Sequence, residues 1–210
     1  MSSSRNPIRI MAVDDHAIFR QGIAGLLMDE EDMHLVAEAS NGREAIQQFR
    51  AHRPEVTLMD IDMPEMNGLD ALIALRGEFP NAKVIVLTIS SGDVQVLRAL
   101  KAGASAYLLK NLLHKELLET IRAVHAGKKS LSPEISYELA QHATDDALSP
   151  GEIQVLKLIA EGNANKQIAA HLSISEETVK GRVKNILSKL DANDRTHAAM
   201  IGLKRGIIQF

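Results

Sequence analysis

The sequence predicts an α/β domain, a doubly wound five-stranded parallel sheet, followed by a small all-α domain of four helices. Three observations carry this. Five apolar, β-branched-rich runs, at residues 8–13, 35–39, 56–59, 84–88 and 106–109, start 27, 21, 28 and 22 residues apart, the length of one strand plus a crossover helix and its loops. The runs are continuous and not alternating, which means burial on both faces and therefore a parallel sheet covered by helices. After residue 148 only helical patterning remains, and the charge changes sign: Lys+Arg against Asp+Glu is 15 to 21 for residues 1–147 and 9 to 6 for 148–210, giving −6 and +3.

Between the strands lie amphipathic segments with helical spacing, such as Ala45, Ile46 and Phe49, or Leu69, Leu72, Ile73 and Leu75. Residues 1–126 are thus expected to form the first domain. The stretch 127–147, with two Ser-Pro steps and a Thr-Asp-Asp run, reads as a linker with a helix near 134–142. Helices are expected at 150–161, 166–172, 176–189 and 196–204. Ser149 with Glu152 three residues on makes a capping box, with Pro150 at the first helical position.

Composition removes several classes. The chain has no Cys and no Trp, and aromatics are 3% of its 210 residues. A disulfide scaffold and a thiolate zinc site are thereby excluded, and a base-stacking platform is not expected. No stretch approaches the roughly 20 apolar residues of a membrane span, so a cytoplasmic protein without a membrane partner is expected. The basic half is the one suited to a polyanion.

In a doubly wound sheet the ligand site lies beyond the carboxyl ends of the strands. Here those ends carry Asp14-Asp15, Asp60, Thr88 and Lys110. Carboxylates converging there repel one another unless a hard cation sits among them; Mg²⁺, with its preference for oxygen ligands, fits. Asp60 is then a nucleophile toward a phosphoryl group, with metal and Lys110 offsetting charge on the phosphoryl oxygens. Thr88 would donate its hydroxyl to a phosphoryl oxygen and move in doing so, a possible switch. Taken singly, each residue reads more simply: Asp15 or Asp62 as a turn residue or cap, Lys110 as a solvated charge, Thr88 as β-propensity. Four such coincidences at four strand ends are less economical than one site.

This set, together with MPEMNG after Asp60-Ile61-Asp62 and GASAYLLK ending in Lys110, resembles the receiver domain of two-component response regulators, with its flavodoxin-like fold. The resemblance implies that Asp14, Asp15 and Asp60 bind Mg²⁺ (or Mn²⁺) with the main-chain carbonyl of Asp62. It also implies that Asp60 is phosphorylated by a sensor histidine kinase or a small phosphodonor, and that Tyr107 repacks as Thr88 moves. Two departures stand out: Glu65, where Gly is common, and the polar loop Ser90-Ser91-Gly92-Asp93.

The C-terminal helices fit helix-turn-helix logic. A short helix ends at Leu172, Ser173-Ile174-Ser175 turns, and Ser175 with Glu176, Glu177 and Thr178 opens a second helix. On it Val179, Val183, Ile186, Leu187 and Leu190 recur at core spacing, while Lys180, Arg182, Lys184, Asn185 and Lys189 take the other face. An isolated basic helix is more often a solvated surface, but LSPGEIQVLKLIAEG, NKQIAAHL, SISEETVKGRVKNILSKL and DRTHAA resemble the LuxR-type domain of the NarL/FixJ class. That resemblance implies that Lys180, Gly181 and Lys184 face base edges of double-stranded DNA, with Lys166, Thr178, Arg182 and Asn185 at phosphates or in support. Ala164 stands where a Ser cap is frequent, so capping is expected from Asn163 or Asn165.

The expected function is a phosphorylation-gated transcription regulator, not an enzyme, that becomes a homodimer with its recognition helix exposed on activation. Two rivals remain at this level. The Asp60-Ile61-Asp62 triplet is similar to the DxD of aspartyl-phosphate phosphohydrolases, although that family carries it on the first strand. The receiver would otherwise be a phosphorylation-independent dimer platform.

Overall fold

A computed structural model describes residues 6–89, 92–110, 115–142 and 146–208. The chain divides into two compact units, residues 1–90 with 96–136, and residues 91–95 with 137–210.

The first unit is a parallel sheet in the order β2-β1-β3-β4-β5-β6. Its strands are β1 (Ile8–Val13), β2 (Met33–Ala39), β3 (Val56–Asp60), β4 (Val84–Thr88), β5 (Ala106–Leu109) and β6 (Ser130–Leu131). The crossovers are α1 (Ala17–Met28), α2 (Gly42–His52), α3 (Gly68–Glu78), α4 (Asp93–Lys101) and α5 (Lys115–His125). Ile10, Ala12, Leu58, Ile85, Leu87 and Leu108 cluster with Ile23 and Leu27 of α1 and with Leu117, Ile121 and Val124 of α5. Alternation along the strands sends Met11, Val13, Met59 and Val86 to the other face, and these are buried too, as are Phe49, Leu72 and Leu75. Burial on both faces is why the runs read as continuous.

The sheet has six strands and not the five expected. β6 contributes two residues, Ser130 and Leu131, which pair with Ala106 and Tyr107. So short a strand is held by main-chain pairing and leaves no periodicity in the sequence. It lies in the stretch expected as a linker, which also holds α6 (Pro133–Gln141). Pro133 opens that helix, and the Ser132 hydroxyl accepts from the Ile135 amide at 3.4 Å. β2 starts at Met33, two residues before the expected run. Of the polar loop after Thr88, Ser90 and Ser91 lie outside the described residues.

The reversal of strand order between β1 and β3 opens the crevice where such sheets take ligands. The turn after β3 is built tightly there. The Gly68 amide donates to the Ile61 carbonyl at 2.9 Å, and a Cβ at Gly68 would stand 1.8 Å from the Asp60 carbonyl oxygen. Only glycine fits. Asn67 caps α3 by accepting from the Asp70 amide at 2.8 Å. Glu65 adopts φ 63°, the left-handed region where glycine is cheapest; this is the physical reason for the glycine expected there.

The second unit carries α7 (Pro150–Ala160), α8 (Asn165–Leu172), α9 (Glu176–Lys189) and α10 (Arg195–Lys204). Its core joins Val155, Leu156, Ile159, Ile168, Val179, Ile186 and Ala198. The capping box at α7 is closed in both directions, Ser149 N–H to Glu152 Oε2 at 2.8 Å and Glu152 N–H to Ser149 Oγ at 3.3 Å. The α8 cap differs from expectation: Gln167 reaches back to accept from the Ala164 amide at 2.7 Å, while the Asn163 amide group donates to the Leu158 carbonyl at 3.1 Å. Ala164 has no acceptor of its own, so only the reciprocal half of a capping box survives. Asn165, the other expected cap, leaves its Oδ1 buried without a partner.

Candidate phosphoacceptor site and nucleic-acid interface

Strand ends bring the first set of residues together. Lys110, directly after β5, places its ammonium 2.7 Å from Asp14 Oδ2 and 2.8 Å from Asp60 Oδ2. Both carboxylates are nearly solvent-free, 1% and 3% exposed, so each requires a counter-charge, and one lysine bridges both. Burial pushes the Asp60 carboxyl above its ordinary value; the hydrogen bond and charge of Lys110 work the other way, Asp14 adds to the rise, and the Asp62 main-chain N–H opposes it. For Lys110, burial works against the charge, but Asp14 and Asp60 outweigh it and hold the ammonium above its ordinary range.

Ligand atoms of Asp14, Asp15, His16 and Asp60 all lie within 4.8 Å of one another. This acidic cluster is able to hold a metal ion, and its carboxylate oxygens fit a hard cation. His16 was not expected in it. Its Nδ1 lies 2.8 Å from Asp15 Oδ1 and 3.2 Å from Asp14 Oδ1, and its main-chain N–H donates to Asp14 Oδ1 at 2.9 Å. Phe19, also missed, sets its ring 4.7 Å beneath the Lys110 ammonium, a cation–π contact that restrains the lysine. The helical spacing of α1 marks Phe19 only as an apolar residue, and nothing in a single sequence ties it to Lys110.

Thr88, at the tip of β4, and Tyr107, on the neighbouring β5, are fully buried. Burial pushes the Tyr107 phenol far up its scale, with the Thr88 hydroxyl opposing and the Asp62 and Asp60 charges adding to the rise. The two residues expected to move together sit on adjacent, paired strands. Asp62 is exposed and lines the same cavity as Asp60 and Lys110.

In the second unit, α8 ends at Ser173 in the left-handed conformation, φ 52°, and α9 begins at Ser175, whose Oγ accepts from the Thr178 amide at 3.1 Å. Glu176 and Glu177 in the first turn complement the helix dipole. Val179 and Ile186 face the core, while Lys166, Thr178, Lys180, Gly181, Lys184 and Asn185 stand exposed. A Cβ at Gly181 would meet nothing within 4 Å, so the fold itself does not demand glycine. Two of the residues expected to meet DNA have partners within this unit. Lys189 pairs with Glu152 at 2.9 Å and donates to the Ala147 carbonyl at 3.2 Å; Glu152 is 4% exposed, and a buried carboxylate outcompetes solvent for the nearest ammonium. Arg182 is half-buried and donates to the Gly151 carbonyl at 3.3 Å. Among the described residues no helix is long and apolar enough to cross a membrane.

Comparison with known proteins agrees with this geometry. The family described as response regulator receiver domain matches residues 10–122, and the family of bacterial regulatory proteins called luxR matches residues 146–201. The transcriptional regulatory protein DegU of Brevibacillus brevis is 34% identical, over 98% of this chain and 97% of its own. The response regulator protein VraR of Staphylococcus aureus is 35% identical, over 96% and 99%. RcsB from Salmonella enterica serovar Typhimurium, solved bound to the promoter P1flhDC in the presence of the phosphomimetic BeF₃⁻, shares 26% identity and a TM-score of 0.75 over 96% of this chain and 100% of that one. A transcriptional regulatory protein, a response regulator and a promoter-bound response regulator are not phosphohydrolases, which sets aside that reading of the Asp60-Ile61-Asp62 triplet. The chain belongs to the response-regulator family, with a receiver domain followed by a DNA-binding domain of the LuxR type.

Proposed function

We propose that this chain is a phosphorylation-gated transcription regulator of the cytoplasm in which Asp60 receives a phosphoryl group from a sensor histidine kinase or a small phosphodonor. The observation that carries the reading is the Lys110 ammonium lying 2.7 Å from Asp14 and 2.8 Å from Asp60 at the sheet edge. An oxygen of Asp60 attacks phosphorus, and the bond to the donor's leaving group breaks. Lys110 then offsets charge on the transferring oxygens. Asp14, Asp15 and Asp60, with the Asp62 main-chain carbonyl, would hold Mg²⁺ (or Mn²⁺), which supplies the remaining neutralisation when bound. Thr88 donates to a phosphoryl oxygen and Tyr107 repacks into the space vacated, which biases the population toward a homodimer competent for DNA.

The domains we assign are 1–126, 127–147 as the connecting segment, and 148–210. On α9, Lys180, Gly181 and Lys184 face base edges in the major groove, and Lys166, Thr178 and Asn185 meet phosphates. Arg182, anchored on Gly151, supports this face, and Lys189 clamps α9 through Glu152 in place of contacting DNA. The RcsB complex, with its promoter and phosphomimetic, supports coupling between the two halves.

The test is DNA affinity for a pool of double-stranded fragments, measured across a salt series with and without phosphodonor. Wild type should bind more tightly after phosphorylation and lose affinity steeply with salt, while Asp60→Asn should show no gain. Equal affinity of treated and untreated wild type would leave the dimer-platform reading in its place.

A further inference from the structure

Next to Asp60 a cavity of about 730 Å³ opens, within the roughly 300–1,000 Å³ of small-molecule sites. Its lining is of two chemical kinds: Asp60, Asp62, His16 and Lys110 are polar, and Ile18, Phe19 and Ile23 of α1 with Ile89 and Leu117 are apolar. Ile18 and Ile89 are 85% and 82% exposed. Such exposure is ordinary for isolated residues, but these two line the same cavity as the candidate acceptor. Phe19 marks the junction, its ring beneath the Lys110 ammonium.

Building on the assignment of Asp60 as acceptor, we infer that the apolar part of this lining is a leaving-group pocket, and that among small acyl phosphates the chain favours those whose R group is larger than methyl, an aryl or longer alkyl group. A donor whose phosphoryl end meets Asp60 and Lys110 would place its remainder against the apolar residues of the same cavity. The step balances without a proton. An Asp60 carboxylate oxygen forms the new bond to phosphorus, the bond from phosphorus to the acyl oxygen breaks with its electron pair left on that oxygen, and RCOO⁻ departs. The group R lies against Phe19 and Ile89, where its burial is favourable in the transition state and the bound state alike.

Gly22 makes the inference testable. It lines the cavity, and a Cβ there would meet nothing within 4 Å. Gly22→Leu therefore adds an apolar side chain at the cavity wall, its Cβ unobstructed, and replaces an interior helical glycine by a better helix former. The full chain with Mg²⁺ is incubated with benzoyl phosphate or acetyl phosphate, and the rate of phosphoryl gain is read by intact mass. Comparing the benzoyl-to-acetyl ratio between variants cancels the donors' own reactivities. Gly22→Leu, and separately Ile89→Ser, should each lower that ratio, by about tenfold for the filled pocket. A ratio unmoved in both variants overturns the inference while labelling of Asp60 by either donor leaves the acceptor assignment standing. A ratio that depends on protein concentration, with dimer seen by sedimentation, overturns it in favour of a second copy covering the cavity. Labelling by neither donor removes the acceptor assignment and this inference with it.

Discussion

Gly68→Ala should weaken the fold and the phosphoacceptor loop together. The new Cβ would stand 1.8 Å from the Asp60 carbonyl oxygen, 2.8 Å from its carbon and 3.1 Å from Ile61 Cα. These neighbours are backbone, so no side chain is able to swing aside, and α3 must retreat by more than 1 Å to reach ordinary contact, roughly 3.5 Å for carbon. That retreat breaks the Gly68 N–H bond to the Ile61 carbonyl, worth about 1 kcal/mol, and adds overpacking strain of about 1–3 kcal/mol. The helix-propensity gain of alanine, up to about 1 kcal/mol, offsets part of this. A net loss of about 1–3 kcal/mol is expected, read as a lower urea midpoint of the full chain by far-ultraviolet circular dichroism. Gly77→Ala is the control within the same helix, because its Cβ would meet nothing within 4 Å; it should be neutral or stabilising by up to about 1 kcal/mol. Opposite signs support the close-approach argument. A Gly68→Ala protein as stable as Gly77→Ala, with undiminished phosphorylation, would refute it.

Three further outcomes are expected. Lys189→Ala leaves the Glu152 carboxylate, 4% exposed, without its ammonium at 2.9 Å, so thermal melts should show a loss of about 1–3 kcal/mol; Lys184→Ala, on the exposed face, should leave melting unchanged and lower DNA affinity instead. Gly181→Ala, at an unobstructed interior helical position, should stabilise the chain by about 1 kcal/mol in the same melts. The Arg122 guanidinium, with hydrogen bonds at 2.8 Å to both Asp32 oxygens, holds the Asp32 carboxyl below its ordinary value of 3.8. A depressed carboxyl contributes stability that is present above its unfolded value and lost as pH falls through the folded one. Unfolding midpoints measured from neutral down into that acid range should therefore fall less steeply for Asp32→Asn than for wild type.

Much of this was legible from the sequence because each signal has a direct physical cause. Continuous apolar runs mark strands buried on both faces, and polar residues ending those runs mark the edge where Asp14, Asp60, Thr88 and Lys110 gather. The capping residues Ser149 and Ser175 announce α7 and α9 by what their hydroxyls accept. Where the reading fell short, the cause is a contact with no sequence period. β6 pairs through two residues of main chain. Phe19 lies under Lys110, 91 positions away in a different crossover, and His16 joins the acid pair through its ring and its main-chain N–H. Lys189 sits on the basic face by helical count, yet its long side chain reaches across to Glu152, which a wheel drawn from one helix does not register. At Ala164 the Ser cap has no substitute, and only the reciprocal bond, from the Ala164 amide to the Gln167 side chain, closes the turn.

The central claim is that the Asp60 carboxylate, bridged with Asp14 by one ammonium, is the atom that takes the phosphoryl group. Incubation of the full chain with a small phosphodonor and Mg²⁺, followed by intact mass and peptide mapping, measures this directly. The account predicts one added phosphoryl group, mapped to Asp60 and lost in Asp60→Asn. A phosphoryl group found on another residue, or gained equally by Asp60→Asn, would contradict it.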